Sequence, residues 1–405
     1  MTQESKSQVS IIGAGPAGLM AAEYLSARGF AVTVFERMPS AARRLLMAGR
    51  GGLNLTHSEP LPAFLSRYGE AQTPLKPAIE AFPPEASRNW AEALGQETFV
   101  GSSGRVFPKA MKASPLLRAW LARLRDEGVE MRLRQEWRGW DSDGRLLFRQ
   151  EDGSEATFAT DAVLLALGGA SWPRLGARGD WVELLRTRNI EVRPFRPANC
   201  GFTVDWSDHF RNRFAGTPVK NVALSFQGRR LRGEFVVTSY GLEGGAIYAL
   251  SAVLRDAIAG EGQAVLRLDL RPNLSEAALR DRLLRVGEAA SLANRLRKGA
   301  GLTGVAAGLL REGTDVPREA GALAARIKSL PLTLAAAQGL ERAISSAGGI
   351  AWSELGPDYM LKRLPGTFVA GEMLDWEAST GGYLLQACFA TGLAAAKGVA
   401  SWLER

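Results

Sequence analysis

Near its start the chain reads Val9-Ser10-Ile11-Ile12-Gly13-Ala14-Gly15-Pro16-Ala17-Gly18. Gly13, Gly15 and Gly18 form a G-x-G-x-x-G motif. The first glycine permits a tight turn, the second lets the backbone approach a pyrophosphate, and the third lets a helix pack closely on the preceding strand. Pro16 and Ala17 open that helix, whose first amides and positive dipole end face the anion. Glu36 ends the next apolar strand, and a carboxylate at this spacing accepts hydrogen bonds from ribose hydroxyls. Arg37 follows it in the same candidate site. A merely structural glycine turn is the competing reading. It explains neither the strand, nor the helix, nor the acid at its distance.

Three further segments carry candidate residues. In Arg43–His57 adjacent glycines expose backbone amides that can nest an anion or admit a flat ring. Arg44 and Gly49 belong to that loop, and Asn54 and Thr56 offer polar groups to flavin or ribityl oxygens. The competing reading is a surface loop, where glycine collects in any case. Ala166, Gly168 and Gly169 end a buried strand at a place where side chains would collide with a cofactor. At the far end, strand Thr367 to Ala370 leads to Gly371, Glu372 and Asp375, acids suited to ribityl hydroxyls. Gly381 and Gly382 then start a helix at Tyr383, with Gln386 one turn in. Its first amides would stabilise negative charge on a reduced flavin. A plain NAD domain needs no such glycine-rich partner at the other end of the chain, but an FAD-binding fold does. His57 and Tyr383 are the candidates for acid–base catalysis, and the residues alone assign neither.

These residues require a frame. Val9–Ile12, Pro16–Arg28 and Ala31–Phe35 read as strand, helix and strand. Leu116, Leu117, Trp120, Leu121 and Leu124 mark an amphipathic helix over 112–127, followed by a strand at Val129–Leu133. The segment 146–167 reads as a hairpin ending in Ala162–Leu167, an apolar run suited to a parallel sheet buried on both faces. The texture changes near 190. Val222–Phe226, Glu234–Thr238 and Val265–Leu270 read as short strands, Ala246–Ala257 as a helix, and 274–328 as helical. The nucleotide fold resumes over 341–405 with a helix, a Gly348-Gly349 strand, a Phe368 strand and the last helix. The expected class is α/β: a discontinuous, glutathione reductase-like Rossmann domain over 1–190 and 341–405, a β-rich insertion over 191–272 and a helical subdomain over 273–340.

The 405 residues are 46% hydrophobic and 23% charged, a globular composition. No apolar run reaches the ~18 residues that span a bilayer. The first residues, Met1–Lys6, lack a basic leader, which places the protein in the cytoplasm. Cys200 and Cys388 make no CxxC pair, and two histidines argue against a metal site. The net charge of +8 is spread over scattered arginines, which read as a solvated surface more readily than as a nucleic-acid face. A small-molecule substrate, no membrane, and a monomer or homodimer are expected. No second G-x-G-x-x-G follows a strand, so no separate NAD(P)H domain is expected and the redox chemistry is the flavin's own.

Taken in order, Gly13–Gly18, Arg44–Thr56, Gly104–Pro108, Ala166–Asp180, Gly233–Gly245 and Gly371–Gln386 resemble the BaiN/YhiN-like family of bacterial FAD-dependent flavoproteins. These are NAD(P)/FAD-dependent oxidoreductases with an aminoacetone oxidase-like branch. The resemblance implies a discontinuous FAD domain with an inserted β-barrel-like domain carrying a helical subdomain. The family's S-G-G-G-R-C-N stands here as Ala48-Gly49-Arg50-Gly51-Gly52-Leu53-Asn54. Its G-G-Y-N-L-Q is Gly381-Gly382-Tyr383-Leu384-Leu385-Gln386, and its S-G-P-A is Glu243-Gly244-Gly245-Ala246. The expected activity is hydride transfer between FAD and a small organic substrate, with NAD(P)H as reductant. The alternatives are an amine oxidase returning electrons to O2, a nucleic-acid-associated flavoprotein, and a flavin-stabilised scaffold without turnover.

Overall fold

The computed structural model describes residues 6–312 and 315–405, except for the side chain of Arg50. The leader reading of the first five residues lies outside it. Contacts divide the chain into two units, Met1–Arg196 with Ser345–Arg405, and Pro197–Ile344.

The first unit is built on a five-stranded parallel sheet. Its strands are β1 (Gln8–Ile12), β2 (Ala31–Glu36), β3 (Glu130–Leu133), β4 (Ala162–Leu165) and β5 (Thr367–Val369), in the spatial order β5-β4-β1-β2-β3. Val9 lies opposite Val32 on one side and Ala162 on the other. β4 is buried throughout, as its unbroken apolar run requires. Helix α1 (Pro16–Ala27) follows β1, α2 is Arg43–Ala48, α3 is Ala113–Asp126 and α4 is Tyr383–Leu403. α1 crosses α4 so closely that a Cβ on Gly392 would collide with the Ala17 carbonyl. Two turns further along α1, Glu23 accepts from the indoles of Trp90 (3.0 Å) and Trp120 (2.6 Å) and from Arg123 (2.7 Å).

α4 is long and apolar enough to cross a membrane by length and composition, contrary to the reading of the apolar runs. Most of its apolar window, 61%, is buried within the protein, as a core helix demands. Part of the expected Arg43–His57 loop is helical, because Leu45 is buried and Gly49 packs on Ala113. The expected 146–167 hairpin is a meander of Glu136–Trp140, Leu146–Arg149 and Glu155–Phe158, from which β4 departs into the parallel sheet. The ring of Phe148 stacks on Phe35 of β2 at 4.2 Å. The described residues 341–344 form no helix ahead of the Gly348-Gly349 strand, which runs Ser345–Ile350.

The second unit is a six-stranded antiparallel sheet with its own core. The strands at Pro218–Phe226 and Arg229–Val237 are longer than the pattern suggests. Leu330–Leu334, within the expected helical subdomain over 273–340, is a strand with Leu330, Leu332 and Leu334 buried in alternation. The chain leaving it bonds across to Thr203, so the sheet curls round on itself. The helix expected over Ala246–Ala257 is two helices, Gly245–Tyr248 and Ser251–Glu261. Helices at Glu276–Val286 and Ala320–Lys328 bury their leucine faces.

Candidate functional site

The carboxyl ends of β1, β2, β4 and β5 lead directly into Gly13, Arg37, Ala166 and Ala370. Ligands of open parallel sheets bind at this edge. The three glycines of the first motif do different work there. Gly13 has φ +108°, and a Cβ on it would strike the Ala166 carbonyl. A Cβ on Gly18 would strike the carbonyl of Gly13. Gly15 caps the start of α1 in an extended conformation with open space at its Cβ position. Two glycines thus close strand, helix and neighbouring strand together, and Gly15 leaves room for a guest.

Beside it opens a cavity of about 300 Å³, lined by Gly13 to Pro16, Glu36, Arg37, Arg43, Arg44, Gln135, Trp137 and Ala166. Glu36 is held rigidly, one oxygen accepting from the Ala14 amide (3.0 Å) and the other from Met38 (2.9 Å). Burial pushes its carboxyl above the usual range in spite of those amides. Arg37 pairs with Asp180 through Nη1 at 2.7 Å. Among the described residues ten buried side-chain polar atoms lack a partner. Five belong to residues lining this cavity: Nε and Nη2 of Arg37, Nε of Arg43, Oε1 of Gln135 and Nε1 of Trp137. Unpaired buried polar groups are costly, so such a cluster marks a place for a polar ligand. Two guanidinium groups, a helix N-terminus and an anchored carboxylate suit the diphosphate and ribose of FAD.

Arg44 on α2 forms a 2.5 Å ion pair with Glu372. Burial works against its charge, but Glu372 keeps the guanidinium ionised beyond its ordinary range. Glu372 also accepts from the Ser346 amide at 3.1 Å. The paired glycines after β4 serve this cluster. A Cβ on Gly168 would strike the Arg44 guanidinium, and one on Gly169 would strike the Ser346 hydroxyl. They make room for protein atoms, which corrects the reading that a cofactor demands them. Gly371 faces the methyl of Ala17 in the same way. Cys388 lies beside the pair, its thiol pushed up to about 12 by burial and by Glu372, which disfavours the thiolate.

The flavin-end candidates divide. Asn54 keeps Oδ1 buried and unpartnered. Thr56 and Gln386 point into the core instead. The Gln386 oxygen accepts from Thr56 (2.8 Å) and Ser87 (2.6 Å), and its amide donates to Phe82 at 2.5 Å. Both are therefore struts of the protein, a correction to their reading as cofactor ligands. Asp375 lies outside the cavity, its carboxyl raised by burial.

Gly382 lies against the Thr56 backbone, with no room for a Cβ. Tyr383 donates to Glu59 at 2.6 Å, and Arg67 grips the same carboxylate at 2.7 and 3.0 Å. His57 stacks on Tyr383 at 5.5 Å, accepts from the Glu59 amide and has its other nitrogen 3.0 Å from the Ser103 carbonyl. His57 and Tyr383 thus belong to one polar knot that fastens the start of α4. Gln135, Trp137, Glu59 and Arg67 were missed by the sequence reading, which held Arg43 and Asp180 only as parts of longer candidate segments. Only the order of the parallel strands, which places the chain after β3 beside Glu36, could have pointed to the first two.

The HI0933-like protein Rossmann domain family matches residues 7–398. The chain is 25% identical to the 3-dehydro-bile acid delta(4,6)-reductase of Clostridium scindens, over 97% of this chain and 99% of that one. It is 24% identical to the ribosomal RNA dihydrouridine synthase of Escherichia coli, over 96% of each. Among solved structures, the fold is shared with 3-ketosteroid delta1-dehydrogenase from Sterolibacterium denitrificans at a TM-score of 0.54 and 12% identity, covering 98% of this chain and 100% of that one. With a match over nearly its whole length, the chain belongs to the HI0933-like Rossmann family and is an FAD-dependent oxidoreductase.

Proposed function

We propose that this enzyme adds hydrogen across a carbon–carbon double bond conjugated to a carbonyl in a small organic substrate, with NAD(P)H as the reductant. The reading rests on the cavity with five unpartnered polar atoms at the carboxyl edge of the sheet, which suits FAD. It draws support from the names of two relatives, a Δ4,6-reductase and a dihydrouridine synthase, both of which describe saturating such a bond. Bound FAD supplies a hydride acceptor and donor. The chain's own residues hold the cofactor: Gly15 and the first turn of α1 at the diphosphate, Glu36 at the ribose, Asn54 toward the ring. The substrate carbon takes one hydride and its neighbour one proton, so NAD(P)H is consumed in equal measure. The test is anaerobic addition of NADH or NADPH to the purified yellow protein, followed by an enone. Bleaching by the nicotinamide and recolouring by the enone is the expected result. Bleaching by an amine alone, with recolouring in air, would favour an amine oxidase instead.

One observation favours a second reading, in which the double bond belongs to RNA. Pro197–Ile344 carries twenty lysines and arginines against fourteen acids, six of the eight excess positive charges. Arg230 and Arg232 stand on one of the two strands that flank Pro218–Phe226 and Arg267 on the other, and Asp269 there takes Arg230 and Lys328, each at 2.7 Å. Lys220 and Arg271 line a neighbouring cleft of about 290 Å³. RNA held there would be released by salt. Changing the three arginines to glutamine would lower the slope of log affinity against log salt by about 2 to 3. No retention of a structured RNA at low salt would remove this reading.

A further inference from the structure

We propose that the cleft of about 290 Å³ within Pro197–Ile344 is a binding site for a phosphate group, gripped by Lys220, Asn221 and Arg271. Two departures from regular backbone build it. The strand Pro218–Phe226 carries a β-bulge. Val219 faces Phe235 and Val222 faces Gly233, so Lys220 and Asn221 together oppose the single residue Glu234. Asn221 stands there at φ +54°. Bulges of this kind re-aim side chains beside functional sites. The second departure is Arg295–Ala300, a π-helix that ends at Gly301 with φ +64°. This rare form is also frequent at functional sites. Lys220, Asn221 and Gly301 line the same cleft.

The side chains there are donors. A Cβ on Gly301 would come within 3.1 Å of the Arg271 guanidinium, whose Nη1 donates to the Gly301 carbonyl at 3.2 Å. The glycine seats that guanidinium in the wall and leaves the rest of its fork free. Lys220 is exposed and meets no acid among the described residues. Arg232 donates to the Asn273 side-chain oxygen (3.0 Å) and to the Pro272 carbonyl (2.9 Å), which fixes this part of the wall and leaves the Asn273 amide to donate. Thr303 adds a hydroxyl, and buried Val222, Leu270 and Leu302 supply the apolar part. No acid lines the cleft. Asp269 accepts from the Arg271 backbone amide nearby, but it is buried and already takes Arg230 and Lys328. Two cations and several neutral donors select an oxyanion. The arginine fork alone would satisfy a carboxylate, whereas a phosphate has a further oxygen and more charge for Lys220 and the amides. The site stands whichever molecule carries the double bond. Its phosphate comes from an RNA backbone or from a free nucleotide, and the two sources separate in solution.

The experiment is calorimetric titration at low salt of the FAD-loaded protein, whose diphosphate site is filled. The probes are inorganic phosphate, uridine 5′-monophosphate and a structured RNA. Saturable binding of a single phosphate per chain is expected. Lys220→Gln and Arg271→Gln should each weaken it about tenfold. Asn221→Gly suits the positive φ, so it should keep the melting temperature and still weaken phosphate, which separates lost binding from lost folding. Arg267→Gln removes an exposed arginine outside the cleft and should leave phosphate affinity as it was. The same losses with RNA assign the phosphate to its backbone, and losses confined to uridine 5′-monophosphate and inorganic phosphate assign it to a free nucleotide. Phosphate binding without RNA retention would remove only the RNA reading above. No saturable phosphate binding would overturn the proposal. So would a loss in Arg267→Gln as large as that in Lys220→Gln, the mark of diffuse surface charge.

Discussion

The residues of the glycine motif carry opposite mutational signatures. Gly15 has open space where a Cβ would go, whereas Gly18 faces the carbonyl of Gly13. Gly15→Val is therefore expected to fold with a melting temperature close to that of the wild-type apoprotein, yet to purify colourless, its branched side chain standing where the diphosphate would. Gly18→Val should lose stability, by about 2 kcal/mol or more from overpacking, whether or not FAD is added. Absorbance and thermal unfolding of the two variants check this. Glu36 adds a pH signature. Burial raises its carboxyl in the folded protein, so between about 4.3, the ordinary value, and the raised one the native state holds a proton that the unfolded chain has released. Apoprotein stability must then fall as pH rises through that window. In urea titrations Glu36→Gln should lack this component of the slope.

At the scale of elements, the start of α4 is fastened by side chains from a distant loop. Tyr383 and Arg67 hold Glu59 against the cost of its burial, and its carboxyl lies below the ordinary range. A lowered carboxyl stabilises the fold above its unfolded value and loses that contribution as pH falls through the folded one. Tyr383→Phe should cost about 1 to 2 kcal/mol at neutral pH and show a shallower loss on acidification than wild type. Should the variant unfold identically at every pH, Tyr383 would not be part of this fastening. The glycine-to-helix junction at Gly382-Tyr383 was legible from sequence, because a glycine pair before an apolar helical run has one meaning. Its fastening was not, because Glu59 and Arg67 carry no local pattern. The same holds for Gln386, whose place one turn into the helix suggested a ligand. Only packing shows that Thr56, Ser87 and Phe82 exhaust its polar atoms.

At the scale of the molecule, each unit has its own apolar core. The residues that line the cavity proposed for FAD all lie in the first unit. Pro194 meets Gly348 there, so the two places where the chain leaves and re-enters are neighbours. Replacing Pro197–Ile344 by a short glycine–serine linker is expected to leave a yellow protein whose melting temperature still rises with FAD. A colourless product that unfolds without cooperativity would show that the first unit depends on the second.

What the sequence determined by itself was whatever depends on neighbours along the chain. The strand–glycine–helix start, the acid ending β2, the apolar β4 and the last helix follow from local periodicity and turn chemistry, and together they name a dinucleotide fold. The tertiary structure alone decided which polar atoms stay free. It turned Thr56 and Gln386 into the core, set Gly168 and Gly169 against Arg44 and Ser346, and left single polar atoms of Gln135, Trp137, Arg37 and Arg43 without partners. The physical reason is that a hydrogen bond is satisfied in space, by groups hundreds of residues apart, and no spacing along a chain records it.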